Sequence, residues 1–156
     1  MNYLVRHQNI PVSLEEAWDF FSKPGNLRII TPEYLDFRIT GNAPSEKMYP
    51  GMIITYRIRP VMKISMQWAT EITQVKEPFF FADNQLSGPY KFWHHQHLFR
   101  EIQGGVRMTD IVHYAAPVGM IGKLTERLYI DKKVKEIFDY RYNKVVEIFG
   151  NYDGSG

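Results

Sequence analysis

The chain has 156 residues, of which 44% are apolar and 23% charged, a composition that fits one globular domain. Its 19 basic and 17 acidic side chains leave a formal charge of +2, too balanced for a nucleic-acid-binding surface. The absence of cysteine excludes disulfides, thiolate nucleophiles and cysteine-ligated metal sites. No signal peptide or long apolar span stands out, so we expect a cytoplasmic protein without integral membrane association.

The N-terminal part of the chain predicts a strand followed by two short helices. Residues 3–10 have an extended pattern, and Ser13 with Glu16 forms a capping box at the start of LEEAWDFFS. The turn at Pro24 ends this helix, and residues 26–30 can add a further helical turn.

From Leu35 to Pro117 the apolar side chains alternate with polar ones, which predicts a meander of strands. Turns rich in glycine and proline divide this region, among them Glu77-Pro78 and Gly104-Gly105. Such alternation buries one face of an antiparallel sheet and leaves the other in water, and we expect a curved sheet of about six to seven strands.

After Pro117 the apolar spacing changes to that of one long amphipathic helix, with Gly150 placed to end it. Its apolar stripe comprises Ile130, Val134, Ile137, Phe138, Val145, Ile148 and Phe149. The chain offers no second long helix, so this stripe must cover the apolar face of the sheet. We therefore predict a single α+β domain over residues 1–150, with a cavity under the helix and a disordered tail at 151–156.

Local motifs give the chain a resemblance to a known superfamily. They are PGNLRIITP (24–32), GPYKFWHHQHLF (88–99), GGVRMTDIVHY (104–114), the pair Pro117 and Gly119, and IFDYR (137–141). Together with the order of elements, they make almost the whole chain similar to the START-like SRPBCC superfamily, and most of all to an uncharacterised bacterial ligand-binding branch sometimes labelled cell division inhibitor. The resemblance implies the helix-grip fold, with a deep cavity that holds a lipid, sterol, polyketide or aromatic compound.

The strongest chemical pattern is the segment WHHQHLF at 93–99, where alternation places His95 and His97 on one face of a strand between two aromatic residues. A tight hairpin turn at Gln103-Gly104 would set the register of this strand against the next. The predicted pairs are Phe99 with Met108, His97 with Asp110, His95 with Val112 and Trp93 with Tyr114.

A carboxylate beside imidazoles on an apolar face has three interpretations. The groups can satisfy one another as a buried polar network, orient a ligand, or act as an acid–base pair. The catalytic candidates are His97 and Asp110, and that interpretation requires a shifted histidine pKa inside the cavity. The sequence leaves the enzyme question open and favours a protein that is not an enzyme.

A metal site is not expected from the sequence. His95 and His97 could chelate an ion, but zinc sites need at least three protein ligands. Asp110 could be the third, yet no further cluster of histidine, aspartate or glutamate stands out, and the flanking Trp93 and Phe99 indicate a dry surrounding. We therefore expect neither a metal nor a cofactor.

The leading hypothesis is a module that binds or carries a hydrophobic or aromatic small molecule, because aromatic and polar groups converge on one sheet face. The candidate ligand-binding residues are Tyr56, Trp68, Trp93, His95, His97, Asp110 and Tyr114. The alternatives are an enzyme resembling a polyketide cyclase or dehydratase that uses the His97–Asp110 pair, and a protein-interaction or regulatory domain.

Overall fold

The computed structural model describes residues 1–41, 47–59, 64–116 and 124–154, with side chains described from 128 onward in the last range. The motif pair Pro117 and Gly119 lies outside the described residues.

The chain begins with strand β1 (Asn2–Ile10), helix α1 (Leu14–Phe21) and two 3₁₀ helices, Pro24–Arg28 and Glu33–Leu35. The predicted cap is present, because the Ser13 hydroxyl accepts a hydrogen bond of 3.1 Å from the Glu16 amide.

The middle of the chain forms the predicted meander. Its strands are β2 (Arg38–Ile39), β3 (Ile53–Ile58), β4 (Met66–Lys76), β5 (Phe80–Ser87), β6 (Phe92–Ile102) and β7 (Gly105–Ala115). With β1 they make a seven-stranded antiparallel sheet in the order β1-β7-β6-β5-β4-β3-β2. The sequence-based prediction of an α+β fold with about seven strands is confirmed.

The hairpin between β6 and β7 has the register that the sequence predicts. Ile102 pairs with Gly105 across the two residues Gln103 and Gly104, and Gly104 has a φ of 74°. A positive φ is the conformation that glycine adopts at little cost, which fits it to this turn. All four predicted pairs are present, including His97 with Asp110 and Trp93 with Tyr114.

Helix α2 (Leu124–Phe149) covers the apolar face of the sheet. Ile130, Val134, Phe138 and Val145 are buried as the sequence predicts, but Ile148 is 40% exposed, so its assignment to the buried stripe is wrong. Ile148 lies in the last turn of α2, where Phe149 is the residue that packs against the N-terminal helix, with its ring 5.1 Å from that of Phe20. Gly150 ends the helix with a φ of 91° and an amide bonded to the Val146 carbonyl.

The tail beyond residue 150 is in contact with the domain in the part that the structure describes. The Tyr152 hydroxyl donates a hydrogen bond of 2.6 Å to the Gln103 carbonyl in the β6–β7 turn. The division of the chain into a domain at 1–150 and a disordered tail stays a prediction.

Candidate ligand cavity and buried charged cluster

A cavity of about 130 Å³ lies between the sheet, the short helices and α2. Most of its wall is apolar, with side chains from the 3₁₀ region such as Leu27 and from the sheet such as Ile54 and Phe81. Charged side chains are confined to a few positions of the wall, among them Asp83 and Arg141. An apolar wall with a few polar groups is the usual make-up of a small-molecule site.

The predicted aromatic residues come together in one buried cluster. The ring centroids of Tyr56 and Trp68 are 5.4 Å apart, and those of Trp68 and Trp93 are also 5.4 Å apart. These three side chains line the cavity, whereas Tyr114 is buried beside Trp93 without lining it. The Tyr114 hydroxyl donates instead to a carboxylate oxygen of Asp131 on α2 at 3.0 Å.

Next to the aromatic cluster, two histidines lie between two carboxylates. His95 donates from Nε2 to Oδ1 of Asp110 at 2.8 Å, and Nδ1 of His97 is 3.1 Å from the same oxygen without hydrogen-bond geometry. On the cavity side, Nε2 of His97 is 3.3 Å from Oδ2 of Asp83, and Nδ1 of His95 is 3.9 Å from it. His95, His97 and Asp83 line the cavity, and Asp110 lies behind the two imidazoles.

Arg141 completes this group, which we call the charged cluster: Asp83, His95, His97, Asp110 and Arg141. Its Nη1 is 3.6 Å from Oδ1 of Asp110, and the side chain is 9% exposed. The guanidinium also lies over the Phe138 ring, with Cζ 4.8 Å from the centroid. Its neighbour in the motif IFDYR, Asp139, pairs instead with Arg6 at 2.9 Å on the surface.

The two histidines have pKa shifts in opposite directions. Burial, and then the charge of His97, lower the pKa of His95 to about 4 against the hydrogen bond to Asp110. Burial also opposes a proton on His97, but the carboxylates of Asp110 and Asp83 outweigh it and raise the pKa of His97. Burial alone would raise the pKa of Asp110, yet the contacts with both histidines and the charge of Arg141 lower it. The cluster thus favours a neutral His95 beside a His97 that holds its proton firmly.

Three cavity-lining side chains retain buried nitrogen atoms without a hydrogen-bond partner among the described residues. They are Trp68, through Nε1, His97, through Nδ1, and Arg141, through Nε and Nη1. A buried donor without an acceptor costs free energy, about 1–3 kcal/mol for a neutral group and more for a charged one. Such donors are the groups that an acceptor oxygen inside the cavity would satisfy.

Sequence reasoning missed Asp83 and the burial of Arg141. Asp83 pairs with His95 across β5 and β6, and alternation from the buried Phe81 could have placed it on the inner face. Arg141 lies at a spacing of three residues from Phe138 and four from Val145, which is the spacing of the buried stripe. In both cases the sequence places a charged residue where the pattern of burial calls for an apolar one, and this was the signal of a functional residue.

The helix-grip architecture consists of a curved sheet, short helices and a long helix that covers the sheet. The chain resembles solved structures of this shape. Protein CV1439 from Chromobacterium violaceum is 8% identical with a TM-score of 0.69, and the match covers 97% of this chain and 99% of that one. Protein Ms6760 from Mycobacterium smegmatis is 19% identical with a TM-score of 0.67, covering 94% of this chain and 89% of that one. Ara h 8.0201 is 12% identical with a TM-score of 0.59, covering 94% and 98%.

At these identities the likeness concerns the fold alone. No family model matches the chain, and no curated protein matches it by sequence. Among the described residues, no helix is long and apolar enough to cross a membrane.

Proposed function

We propose that the protein binds a small aromatic compound that carries an acidic group, with its ring on Trp68 and Tyr56 and its anionic oxygens on Arg141. One observation carries the proposal: a largely apolar cavity whose wall holds a buried arginine with two nitrogen atoms that make no hydrogen bond to the described residues. A guanidinium binds a carboxylate in a strong, directional way, and low local polarity strengthens that attraction. The same proposal includes two further points. The protein is cytoplasmic, and it belongs to the ligand-binding branch of the SRPBCC superfamily.

The size of the cavity favours a compound with one ring. Its 130 Å³ is close to the roughly 150 Å³ of an engineered apolar cavity that holds benzene. A sterol or a lipid tail would need the wall to move, so we rank these ligands of the better-studied relatives behind a benzoate-like molecule.

Acid–base catalysis by His97 and Asp110 ranks behind binding. A general base must reach the proton that it removes, and Asp110 lies behind the imidazoles, outside the cavity wall. Its hydrogen bond from His95 and its ion pair with Arg141 engage Asp110 within the protein. A bound molecule would meet Asp83, His95 and His97 instead.

The test is isothermal titration calorimetry with benzoate, and with benzyl alcohol as the uncharged probe of similar size. We expect benzoate to bind more tightly, and Arg141→Gln to weaken benzoate binding by about 10- to 100-fold, which corresponds to the loss of one charge-assisted hydrogen bond. Benzyl alcohol binding should change little in Arg141→Gln.

Arg57→Gln is the matched control, because Arg57 is an exposed arginine on β3. It should bind benzoate like the unsubstituted protein. Absence of heat and of thermal stabilisation with both probes, or equal benzoate affinity in Arg141→Gln and Arg57→Gln, would show the proposal to be wrong.

A further inference from the structure

The cavity side of the charged cluster has a feature that ligand binding by Arg141 does not use. Asp83, His95 and His97 each offer one ligand atom, and the three atoms lie within 4.8 Å of one another. They come from two adjacent strands, β5 and β6, whose register directly pairs Asp83 with His95. A sheet holds such positions firmly, since neighbouring strands are fixed by their backbone hydrogen bonds.

The separations suit a transition-metal ion. A tetrahedral ion with bonds of about 2.0 Å keeps its ligand atoms roughly 3.3 Å apart. Oδ2 of Asp83 is 3.3 Å from Nε2 of His97 and 3.9 Å from Nδ1 of His95, and the three ligand atoms lie within 4.8 Å of one another, so binding one ion requires the His95 ring to move toward the other two. Two imidazoles with one carboxylate are ligands that zinc and ferrous iron accept, whereas magnesium and calcium prefer oxygen alone.

Asp110 has the position of the supporting carboxylate in such a site. Metal-bound histidines usually donate their other ring N–H to a carboxylate or carbonyl, which fixes the tautomer and the ring orientation. Nε2 of His95 donates to Asp110, so the proton of the neutral ring is on Nε2 and the lone pair of Nδ1 faces Asp83. Nδ1 of His97 faces the same Asp110 oxygen, which leaves Nε2 on the Asp83 side.

The charges of the cluster are compatible with a divalent cation. Asp83 and Asp110 bring two negative charges, and Arg141 offsets one of them from the Asp110 side, at 3.6 Å from Oδ1. Arg141 lines the same cavity as Asp83 and the imidazoles, so the charge of Asp110 beside it is what limits its repulsion of the proposed ion.

We propose that Asp83, His95 and His97 bind one divalent transition-metal ion in a three-ligand site that leaves a coordination position open toward the cavity. Metal binding would displace the proton that Nε2 of His97 donates to Asp83 and release it to solvent, so this hydrogen bond would give way to metal bonds from all three ligand atoms. The inference goes beyond small-molecule binding and reverses the sequence-based expectation of no metal, because Asp83 supplies the third ligand that the sequence lacked.

The experiment is a titration of the chelator-treated protein with Zn²⁺ alone, followed by calorimetry and by NMR of the histidine rings. We expect one ion per chain, with ring signals of His95 and His97 shifted and those of His7, His94 and His113 unchanged. Because this readout uses the unsubstituted protein, it does not depend on whether a variant folds. A second readout is Co²⁺, whose visible absorption is strong at low coordination number and weak in an octahedral site.

Three variants locate the site. Asp83→Asn removes a ligand, and Asp110→Asn changes only the supporting carboxylate, for which a 10- to 100-fold loss of affinity is expected, smaller than the loss in Asp83→Asn. His94→Gln is the matched control, since His94 is on the same strand with its side chain on the opposite face and its ring 6.3 Å from that of His113.

Absence of Zn²⁺ binding by the chelator-treated protein would overturn the inference. So would loss of binding in His94→Gln with retention in Asp83→Asn, which would assign the ion to the outer face. These titrations contain no organic probe, so a failure of benzoate to bind leaves their result unchanged.

Discussion

Asp110 determines the geometry of the charged cluster, although it does not line the cavity. One of its oxygens, Oδ1, accepts the hydrogen bond of His95 and lies within 3.6 Å of both His97 Nδ1 and Arg141 Nη1. A buried carboxylate is stable only when such partners offset its loss of water. The same contacts hold the two imidazoles and the arginine in one orientation, so a network needed for stability also presents Asp83, His95, His97 and Arg141 to the cavity.

At the same scale, the lowered pKa of His95 predicts a loss of stability in acid. The pKa of His95 is about 4 in the folded protein and 6.5 in the unfolded chain. Between these pH values the unfolded chain therefore binds a proton that the folded protein does not bind. In metal-free protein, the free energy of unfolding should fall relative to His95→Gln by about 1.4 kcal/mol per pH unit as the pH drops below 6.5. Urea unfolding of both chains at pH 7 and 4.5 measures this, and a difference between the chains that does not change with pH would contradict it.

The β6–β7 hairpin and its neighbour β1 determine which residues of the sheet meet. The two-residue turn at Gln103-Gly104 sets the register that places His97 opposite Asp110. Beside the turn, a β-carbon on Gly105 would meet the carbonyl oxygen of Ile10, where β1 ends. Close approach of the two backbones therefore requires glycine at this position.

Gly105→Ala is expected to destabilise the protein by about 1–3 kcal/mol, because a backbone carbonyl has to move to admit the methyl group. Gly25→Ala is the matched control, since a β-carbon on Gly25 meets nothing within 4 Å. Thermal and urea unfolding of the two variants give the comparison. Equal stability of Gly105→Ala and Gly25→Ala would show that β1 and β7 do not approach each other in this way.

At the scale of the whole molecule, the arrangement of the sheet and the helices determines where the cavity lies. The sheet, the short helices and α2 enclose the cavity together, and residues from all three contribute to its wall. The proposed ligand, enclosed by these layers, dissociates slowly from the protein once its polar group is paired with Arg141, because most affinity differences lie in the dissociation rate. Such a ligand can remain with the protein during purification.

Native mass spectrometry of freshly purified protein tests this expectation. We expect a population with one bound compound of low mass, and denaturing extraction should release an aromatic acid. The expected amount is lower in Arg141→Gln and unchanged in Arg57→Gln. Release of a long-chain lipid or sterol instead would mean that the wall opens well beyond 130 Å³ and that the one-ring assignment is wrong.

Features that depend on neighbours in the chain could be predicted from the sequence alone. The Ser13 cap, the alternation of the strands, the turn at Gly104 and hence the pairing of His97 with Asp110 follow from residues a few positions apart. The apolar stripe of α2 wrongly included the exposed Ile148, and it left out Arg141 because a pattern based on hydropathy does not place an arginine in the core.

The composition of the site depends on the packing of distant segments. Asp83 reaches the histidines from β5 and Arg141 reaches Asp110 from α2, and their positions depend on the register between β5 and β6 and on how α2 packs over the sheet. The size of the cavity is likewise what remains after all side chains have packed. None of these follows from local spacing, since long-range packing is set by the sum of many weak contacts that bring distant segments together. Local sequence thus specified the strand with its two histidines and the pairing with Asp110, and packing specified Asp83, the arginine and the space around them.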